Sequence, residues 1–428
     1  MTVSKDIISA NDSIIIKLPS GNQKILTINS GSVVDLGKFG KFKSDELIGQ
    51  LYSCQYEIYD RDRIKRLPIG NYLDSFSISI QPQLTYLDIN PKEETEATNQ
   101  EMLDDSKTQK LSRVEIEEMK SKSLEGSIDH HTIIKTLVSN NENFDSKTEF
   151  SKAKYIKRKV EKFSKTFTPL QTTAKNLVEY WREKNIDKIR ELRIDTLSQM
   201  LTLINVRSGS RLLVVDDTGG LIGTALLERT HGVGELVFIH DGPNADLHMM
   251  KAGMWASKVN DSCFPCKWSS IGKPVECVMN SDDPVHIERA KVGTARAEKV
   301  YEMFQSKSFE GLIVASKFKA KDVIEKLAPY LRSSSPVVVY DPRKEMLMDA
   351  LLHVQKTKEF INTQLTESWI REYQVPIFSS GTHPMMMTSG GGGFILSCTT
   401  VDEDGVVLNK PTFKNVRANN KRLKTDKE

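Results

Sequence analysis

Long apolar runs are missing from this sequence of 428 residues, and so is any strong excess of charge. No stretch reaches the ~18 consecutive apolar residues that a membrane-spanning helix needs. The opening residues, MTVSKDIISANDS, lack the apolar core of a secretory signal. Cysteine is scarce: Cys54, Cys263, Cys266, Cys277 and Cys398 form an odd set with one close pair. Such usage argues against a disulfide scaffold and fits a reducing compartment, so a location in cytosol or nucleus is expected. A formal net charge of +3 implies by itself no nucleic-acid partner; where the charge sits matters more. With 27% charged and 38% hydrophobic residues the chain can bury sizeable cores. Its length suggests two or three domains at about 150 residues each.

Residues 1–90 read as β-rich. SIIIKLPSGNQKILTI holds two β-branched runs around Pro19, Ser20, Gly21 and Asn22, a hairpin signal. SVVDLGKFGKF, CQYEIYD and NYLDSFSISI continue the short-strand pattern, so a small β-barrel or sandwich is expected. Residues 91–125 are polar and acidic and read as a solvated linker, an insertion or an exposed helix. Residues 126–171 carry a basic helical segment, with eight Lys/Arg against two Glu between Lys147 and Lys165. From 172 to 400, near-continuous apolar strands alternate with helices: RLLVVDD then LIGTALLERT, GELVFIHD, EGLIVASKF then AKDVIEKLAPYL, PVVVYDP then EMLMDALLHVQ. That alternation predicts a parallel, doubly wound α/β sheet. The segment HPMMMTSGGGGFILS falls at its far end, and the two strands on either side of its glycines are joined too tightly for a helical crossover and should be antiparallel. A parallel sheet ending in an antiparallel hairpin is the Rossmann-like plan of class I methyltransferases. The tail, 401–428, is polar.

In such a sheet the turn after the first strand recognises the cofactor, with glycines that admit the ligand and carboxylates that hold its polar groups. Here the turn is VVDDTGGLIG. Read from Asp217, Gly219 and Gly223 sit where methyltransferase glycines belong, but Leu221 takes the middle place; Gly220 falls out of register. Read from Asp216, Thr218 and Ile222 both displace glycines. The loop is half of the motif in either register, a degenerate cofactor site. The second strand ends in Asp241, where a ribose-binding acid would sit, followed by Gly-Pro as in any turn. The fourth strand ends in Ser316, Lys317 and Phe318, without an acid. Methyl transfer to a base nitrogen needs a group that takes up a proton, and a lysine cation has the wrong sign. These residues point to a chain that kept the sheet and lost the reaction, with no catalytic residues and no bound cofactor expected.

Other features are weighed on the same terms. Lys154, Arg158 and Lys162 recur every four residues, as cations on one helix face must to meet phosphates. Lys147, Lys152, Lys157, Lys159 and Lys165 broaden that patch. Tyr155 and Phe163 are read as core residues before base-stacking ones. Cys263-Phe-Pro-Cys266 with Cys277 lacks the second close pair of a structural zinc site, and His240 and His248 are ligand candidates only by proximity, so no metal is expected. In HPMMMTSGGGGFILS, four glycines follow a methionine run. A block of glycine is unfavourable in regular structure, at ~1 kcal/mol per residue against alanine. It suits a tight hairpin or a backbone pressed against another surface.

LGKFGKF…LIG, NNENFDSKTEFSKAKYIKRKVEKF, EGLIVASKF, LTESWIREYQV and HPMMMTSGGGGFILS, in this order, make the chain resemble the non-catalytic subunit of eukaryotic tRNA (adenine-N1)-methyltransferase, which serves the T-loop adenine at tRNA position 58. The resemblance runs from about residue 10 to 400. It implies an N-terminal β-barrel, a nuclear location, tRNA as substrate, and a catalytic partner of the same fold in a heterotetramer, two of each, with S-adenosylmethionine in the partner. It adds Lys317 and Arg371 to the tRNA candidates. Where the family usually has Ser-Arg-Phe, this chain has Ser316-Lys317-Phe318, which loses the guanidinium fork. It makes Met385, Met386, Met387, Gly390, Gly391, Gly392, Gly393 and Phe394 candidates for the partner interface, the methionines as adaptable apolar contacts. Two other readings stay open: a methyltransferase active by itself with an unusual loop, and an RNA-associated scaffold of the translation machinery.

Overall fold

Side-chain alternation along the first strand sets the N-terminal architecture. The computed structural model describes residues 6–59, 62–67, 110–124, 130–141, 144, 152, 155–156, 158–159, 162–274, 284–374 and 382–401. In β1 (Ser13–Lys17), Ile14, Ile15 and Ile16 are all buried. Ile14 and Ile16 enter a core with Phe42, Tyr56, Ile58 and Phe167, while Ile15 points from the opposite face into the core of the second domain. A period of two places neighbours on opposite faces, so both faces of β1 are covered. β1 pairs with β2 (Gln23–Thr27) through the turn read from Pro19 to Asn22. A small hairpin, β3 (Val33–Asp35) with β4 (Lys41–Lys43), contributes Val34 and Phe42 to the same core.

β5 (Tyr56–Tyr59) and β6 (Arg63–Arg66) form another hairpin, and β7 (Thr166–Gln171) lies between β5 and β1. The result is a five-stranded antiparallel sheet in the order β2-β1-β7-β5-β6. Among the described residues it has two edges, β2 and β6, and is an open sheet; the strand expected at 71–80 lies outside them. β7 falls within 126–171, so that segment is not helical throughout: its last residues are strand, and the N-terminal sheet is assembled from both sides of an insertion. Phe167 of β7 stacks on Phe42 at 4.8 Å between ring centroids.

The insertion holds α1 (Arg113–Leu124) and α2 (His130–Ser139). Ser112 and Glu115 form a capping box at the start of α1: Ser112 N donates to Glu115 Oε2 at 2.8 Å, and Glu115 N to Ser112 Oγ at 3.3 Å. Ile133, Ile134, Leu137, Phe144, Ile156 and Phe163 pack into a separate small core, joined by Ile116, Met119 and Tyr155. The polar stretch thus ends in a capped helix that packs through a few apolar side chains.

The second domain opens with α3 (Ala174–Lys184) and α4 (Ile194–Leu203). Then follow β8 (Arg211–Asp216), α5 (Leu221–Thr230), β9 (Glu235–His240), α6 (His248–Ala252), β10 (Cys263–Lys267), α7 (Pro284–Gln305), β11 (Gly311–Ala315), α8 (Ala320–Leu327), β12 (Pro336–Asp341), α9 (Glu345–Lys356), β13 (Phe360–Trp369), the short β14 (Tyr373–Gln374) and β15 (His383–Pro384), and β16 (Gly391–Thr400). The sheet order is β10-β9-β8-β11-β12-β16-β13. Five strands are parallel; β16 runs antiparallel to both β12 and β13. Alternate residues feed two cores: Leu212, Val214, Phe238, Ile313 and Val338 on one face, Leu213, Val215, Ile239, Val314 and Val339 on the other. Burial on both faces is why these strands read as unbroken apolar runs. Each such side chain stabilises by ~1.5–3 kcal/mol relative to exposure.

Candidate functional site

Four places carry the chemistry read from the sequence: the turn after β8, the end of β11, the basic helix and the β13–β16 hairpin. In the first, Asp216 is half-buried and satisfied from within. Thr218 N donates to Asp216 Oδ1 at 2.7 Å, and Gly223 N to Asp216 Oδ2 at 3.4 Å. Burial pushes the Asp216 carboxyl up to about 6 despite these bonds. Asp217 lies across the sheet from the end of β11 and accepts from Lys317 N at 2.7 Å. Both carboxylates hold local backbone.

The glycines of this turn admit the chain itself. Gly219 and Gly220 have φ of +73° and +87°, the left-handed region where glycine is favoured. A Cβ on Gly219 would stand 2.3 Å from His248 Cε1, and one on Gly220 would stand 3.1 Å from Leu247 Cα. A Cβ on Gly223 would meet Met250 Sδ at 2.3 Å and Phe238 Cζ at 2.7 Å. Met249 N donates to Gly219 O at 3.1 Å, which seats α6 directly on the turn. His248 is held there by Asp246 (Nδ1 to Oδ1, 2.7 Å) and sits edge-on against Trp181. Leu221 is fully buried, so the residue that breaks the glycine spacing belongs to the core under the loop.

At the end of β11, Ser316 is buried, Lys317 exposed, and Phe318 stacks on Trp268 at 5.3 Å. In the basic segment, Lys152, Tyr155, Ile156, Arg158, Lys159, Lys162 and Phe163 are helical; Lys147, Lys154 and Lys157 lie outside the described residues. Arg158 and Lys162 are exposed, Lys152 half-buried. Lys159 is drawn over the Tyr155 ring at 4.8 Å, and burial together with Lys162 lowers its pKa. Phe163 and Ile156 are core, and Tyr155 packs on them.

The glycine block is explained mostly inside the chain. Gly390 faces the Trp369 indole, where a Cβ would come within 2.7 Å of Cε2. Gly392 is wedged between Thr196 Oγ1, 2.8 Å from its Cβ position, and Ser368. Gly393 has φ +84°, and its Cβ position is 2.5 Å from Tyr340 Cε2. Only Gly391 faces open space, with no neighbour closer than 3.7 Å. Arg193 clamps the hairpin: it forks onto Asp195 at 2.9 and 2.6 Å, and its Nη1 donates to Gly390 O at 2.7 Å and Ile370 O at 3.2 Å. Arg371 turns inward, its Nη2 3.5 Å from Met385 O, which ties it to the methionine turn.

Around that clamp the surface is apolar. Met387 is 95% exposed, Met386 77%, Trp369 67%, Tyr373 60% and Ile370 55%. Met385 and Phe394 are half-buried. The sequence reading picked out the methionines but missed Trp369, Ile370, Tyr373 and the supporting Arg193. The one available signal was the apolar pair inside LTESWIREYQV, at the end of a strand otherwise polar on its outer face. Cys263 and Cys266 belong to opposite faces of β10, one in each core. Burial pushes their thiols up to about 12 and about 11, so they are neutral packing groups on opposite sides of one strand.

Strand order, with the antiparallel β16 between β12 and β13, defines a class I methyltransferase fold whose glycine turn is filled by its own helix. The model of the Gcd10p family matches residues 7–295, and the chain belongs to that family. A Debaryomyces hansenii protein named tRNA (adenine(58)-N(1))-methyltransferase non-catalytic subunit TRM6 is 28% identical over 424 residues, covering 93% of this chain and 87% of its own length. A mouse protein of the same name is 27% identical over 376 residues, 72% of this chain and 74% of its own. Among solved structures, a SAM-dependent O-methyltransferase from Thermotoga maritima aligns with 94% of this chain and 97% of its own, at 9% identity and a TM-score of 0.49.

Proposed function

We propose that this chain is the non-catalytic subunit of a tRNA (adenine-58-N1) methyltransferase. It works in the nucleus in a heterotetramer, two copies of each subunit, with a catalytic partner of the same fold that holds S-adenosylmethionine. The observation that carries this reading is the conjunction of relatives so named over most of the chain with a cofactor turn closed by His248 and Met250. The donor set does not fit S-adenosylmethionine. Asp216 is occupied by local donors, Asp217 holds Lys317 N, and the glycines abut α6. The fourth strand ends in Lys317, with no acid to take a proton from an amine.

In this reading the chain contributes binding surface. Arg158 and Lys162, with Lys152 beside them, meet tRNA phosphates electrostatically, and Lys317 adds a cation at the sheet's edge. The apolar end of the β13–β16 hairpin docks on the partner; exposed aromatic and methionine side chains of this kind mark interfaces. Calorimetry on the isolated chain with S-adenosylmethionine tests the reading. No heat from the chain alone, and methylation of a tRNA transcript only with the partner present, are expected. Micromolar binding with methylation by this chain alone would make it an enzyme in its own right. Recovery from native extract on RNA-associated assemblies without a methyltransferase would make it a scaffold.

A further inference from the structure

We propose that the hollow along β10, the edge strand of the second domain's sheet among the described residues, is a phosphate-binding groove for a single-stranded segment of RNA. This rests on the reading that the chain binds tRNA, and adds to the basic helix a second contact site. The hollow is a cavity of about 510 Å³ whose lining includes His240, Asn244, Lys251, Asn260, Lys267 and Arg296. Its volume is in the range of nucleotide-sized pockets. Among the described residues three cations line it and no carboxylate does. Of the acids nearby, Asp246 holds His248 at 2.7 Å and Lys188 at 4.0 Å, Asp261 faces Lys258 at 3.7 Å, and the exposed Asp241 sits next to His240 at the rim without lining the hollow. The groove shares no residue with the glycine turn 216–223 or with the 316–318 turn.

The geometry suits a polyanion better than a protein strand. Pro265 and Lys267 are the exposed residues of β10 that line the groove, with the buried Cys263 at its floor, while Phe264 and Cys266 face the core on the other side of the strand. Pro265 has no N–H to offer along this edge, which blunts addition of another strand. Arg296 is fixed in place: its Nη2 donates to Cys263 O, and its guanidinium lies 5.4 Å over the Phe264 ring. Its buried Nε has no partner among the described residues. Lys251 and Lys267 are exposed, without a carboxylate partner among the described residues. Lys251 also lines a second hollow of about 280 Å³ with Asp12, Tyr52, Gln171, Thr172 and Ser257, where the N-terminal sheet meets the second domain. There Asp12 is already occupied by Tyr52 Oη at 3.1 Å and Ser9 N at 2.8 Å. Lys251 belongs to both hollows and joins them into one path for a phosphate backbone, the electrostatic half of single-strand binding. Asn244 and Asn260 supply amides for base edges.

The test uses the complex with the catalytic partner and a tRNA transcript. Lys251→Ala with Lys267→Ala should weaken tRNA binding about tenfold at moderate salt. It should also lower the log–log salt slope by about 1.4, at roughly 0.7 per single-strand phosphate contact. Thermal midpoint and assembly should stay at wild-type values, since both side chains are exposed. A photo-crosslinking amino acid in place of Asn260 should join one short RNA segment. Arg158→Ala with Lys162→Ala on the helix serves as the reference. If that variant weakens binding while the groove variant keeps wild-type affinity and slope, or if position 260 yields no crosslink, the groove is overturned and the tRNA reading stands. If the wild-type complex methylates tRNA with neither pair affecting binding, both fall.

Discussion

Alanine placed at each of the four glycines separates a hairpin demand from an interface demand. Gly393→Ala puts a Cβ at φ +84° and 2.5 Å from Tyr340, a buried ring whose hydroxyl is tied to Arg190 O at 2.9 Å. The left-handed backbone costs ~1–2 kcal/mol and the overpacking a further ~1–3 kcal/mol, so a loss of about 2–5 kcal/mol is expected. Gly392→Ala meets Thr196 Oγ1 at 2.8 Å and Ser368 O at 3.0 Å, and disturbs the bond from Thr196 Oγ1 to Gly392 O. A loss of ~1–3 kcal/mol follows from that crowding. Gly390→Ala needs only the exposed Trp369 ring to swing aside, at ~1 kcal/mol or less. Gly391→Ala finds open space at ordinary φ and should be neutral or stabilising by ~0.4–1 kcal/mol through the unfolded chain. Urea midpoints of the four single variants, followed by circular dichroism, give the ranking. A neutral Gly393→Ala would refute the packing account, and a Gly391→Ala that folds normally yet fails to assemble would show that the partner's backbone lies against it.

Met386→Ser with Met387→Ser should leave the isolated chain's stability within ~0.5 kcal/mol, since both side chains are exposed. Assembly with the catalytic subunit should weaken by tenfold or more in sedimentation or pull-down titration, and undiminished assembly would remove the hairpin from the interface. Glu228 accepts from Ala174 N at 2.6 Å, and burial raises its pKa from 4.5 to about 7. A raised acid binds its proton more tightly when folded, so its stabilising contribution is complete below about 4.5 and is lost as pH rises through about 7. Glu228→Gln keeps the carbonyl acceptor and should flatten this fall, worth about 3 kcal/mol between those limits, in urea midpoints at several pH values; an unchanged profile refutes it. Lys152→Ala, Arg158→Ala and Lys162→Ala together should weaken tRNA binding and lower the log–log salt slope by up to ~0.9 per lost contact with duplex. An unchanged slope would exclude the helix from the tRNA site.

What the sequence determined by itself was periodicity and its consequence. Unbroken apolar strands between helices required a parallel sheet covered on both faces. The tight hairpin expected around the glycine block took another form: β16 begins inside that block and runs antiparallel to β12 and β13, and residues 370–390 separate it from β13. Leu221 in the glycine turn and Lys317 after β11 were equally legible, because chemistry at a fixed offset from a strand end needs no coordinates. Contacts distant in sequence were not legible. That β7 returns past a helical insertion to lie between β1 and β5 depends on which edge is free. That His248 and Met250 fill the cofactor turn depends on where a later loop folds. The glycines carried a signal of close approach without saying to what. Only the packing of Trp369, Thr196 and Tyr340 against them assigns three of the four to this chain's own hairpin. Local rules act within a few residues along the backbone, whereas burial is a property of surfaces that meet only after the chain has folded.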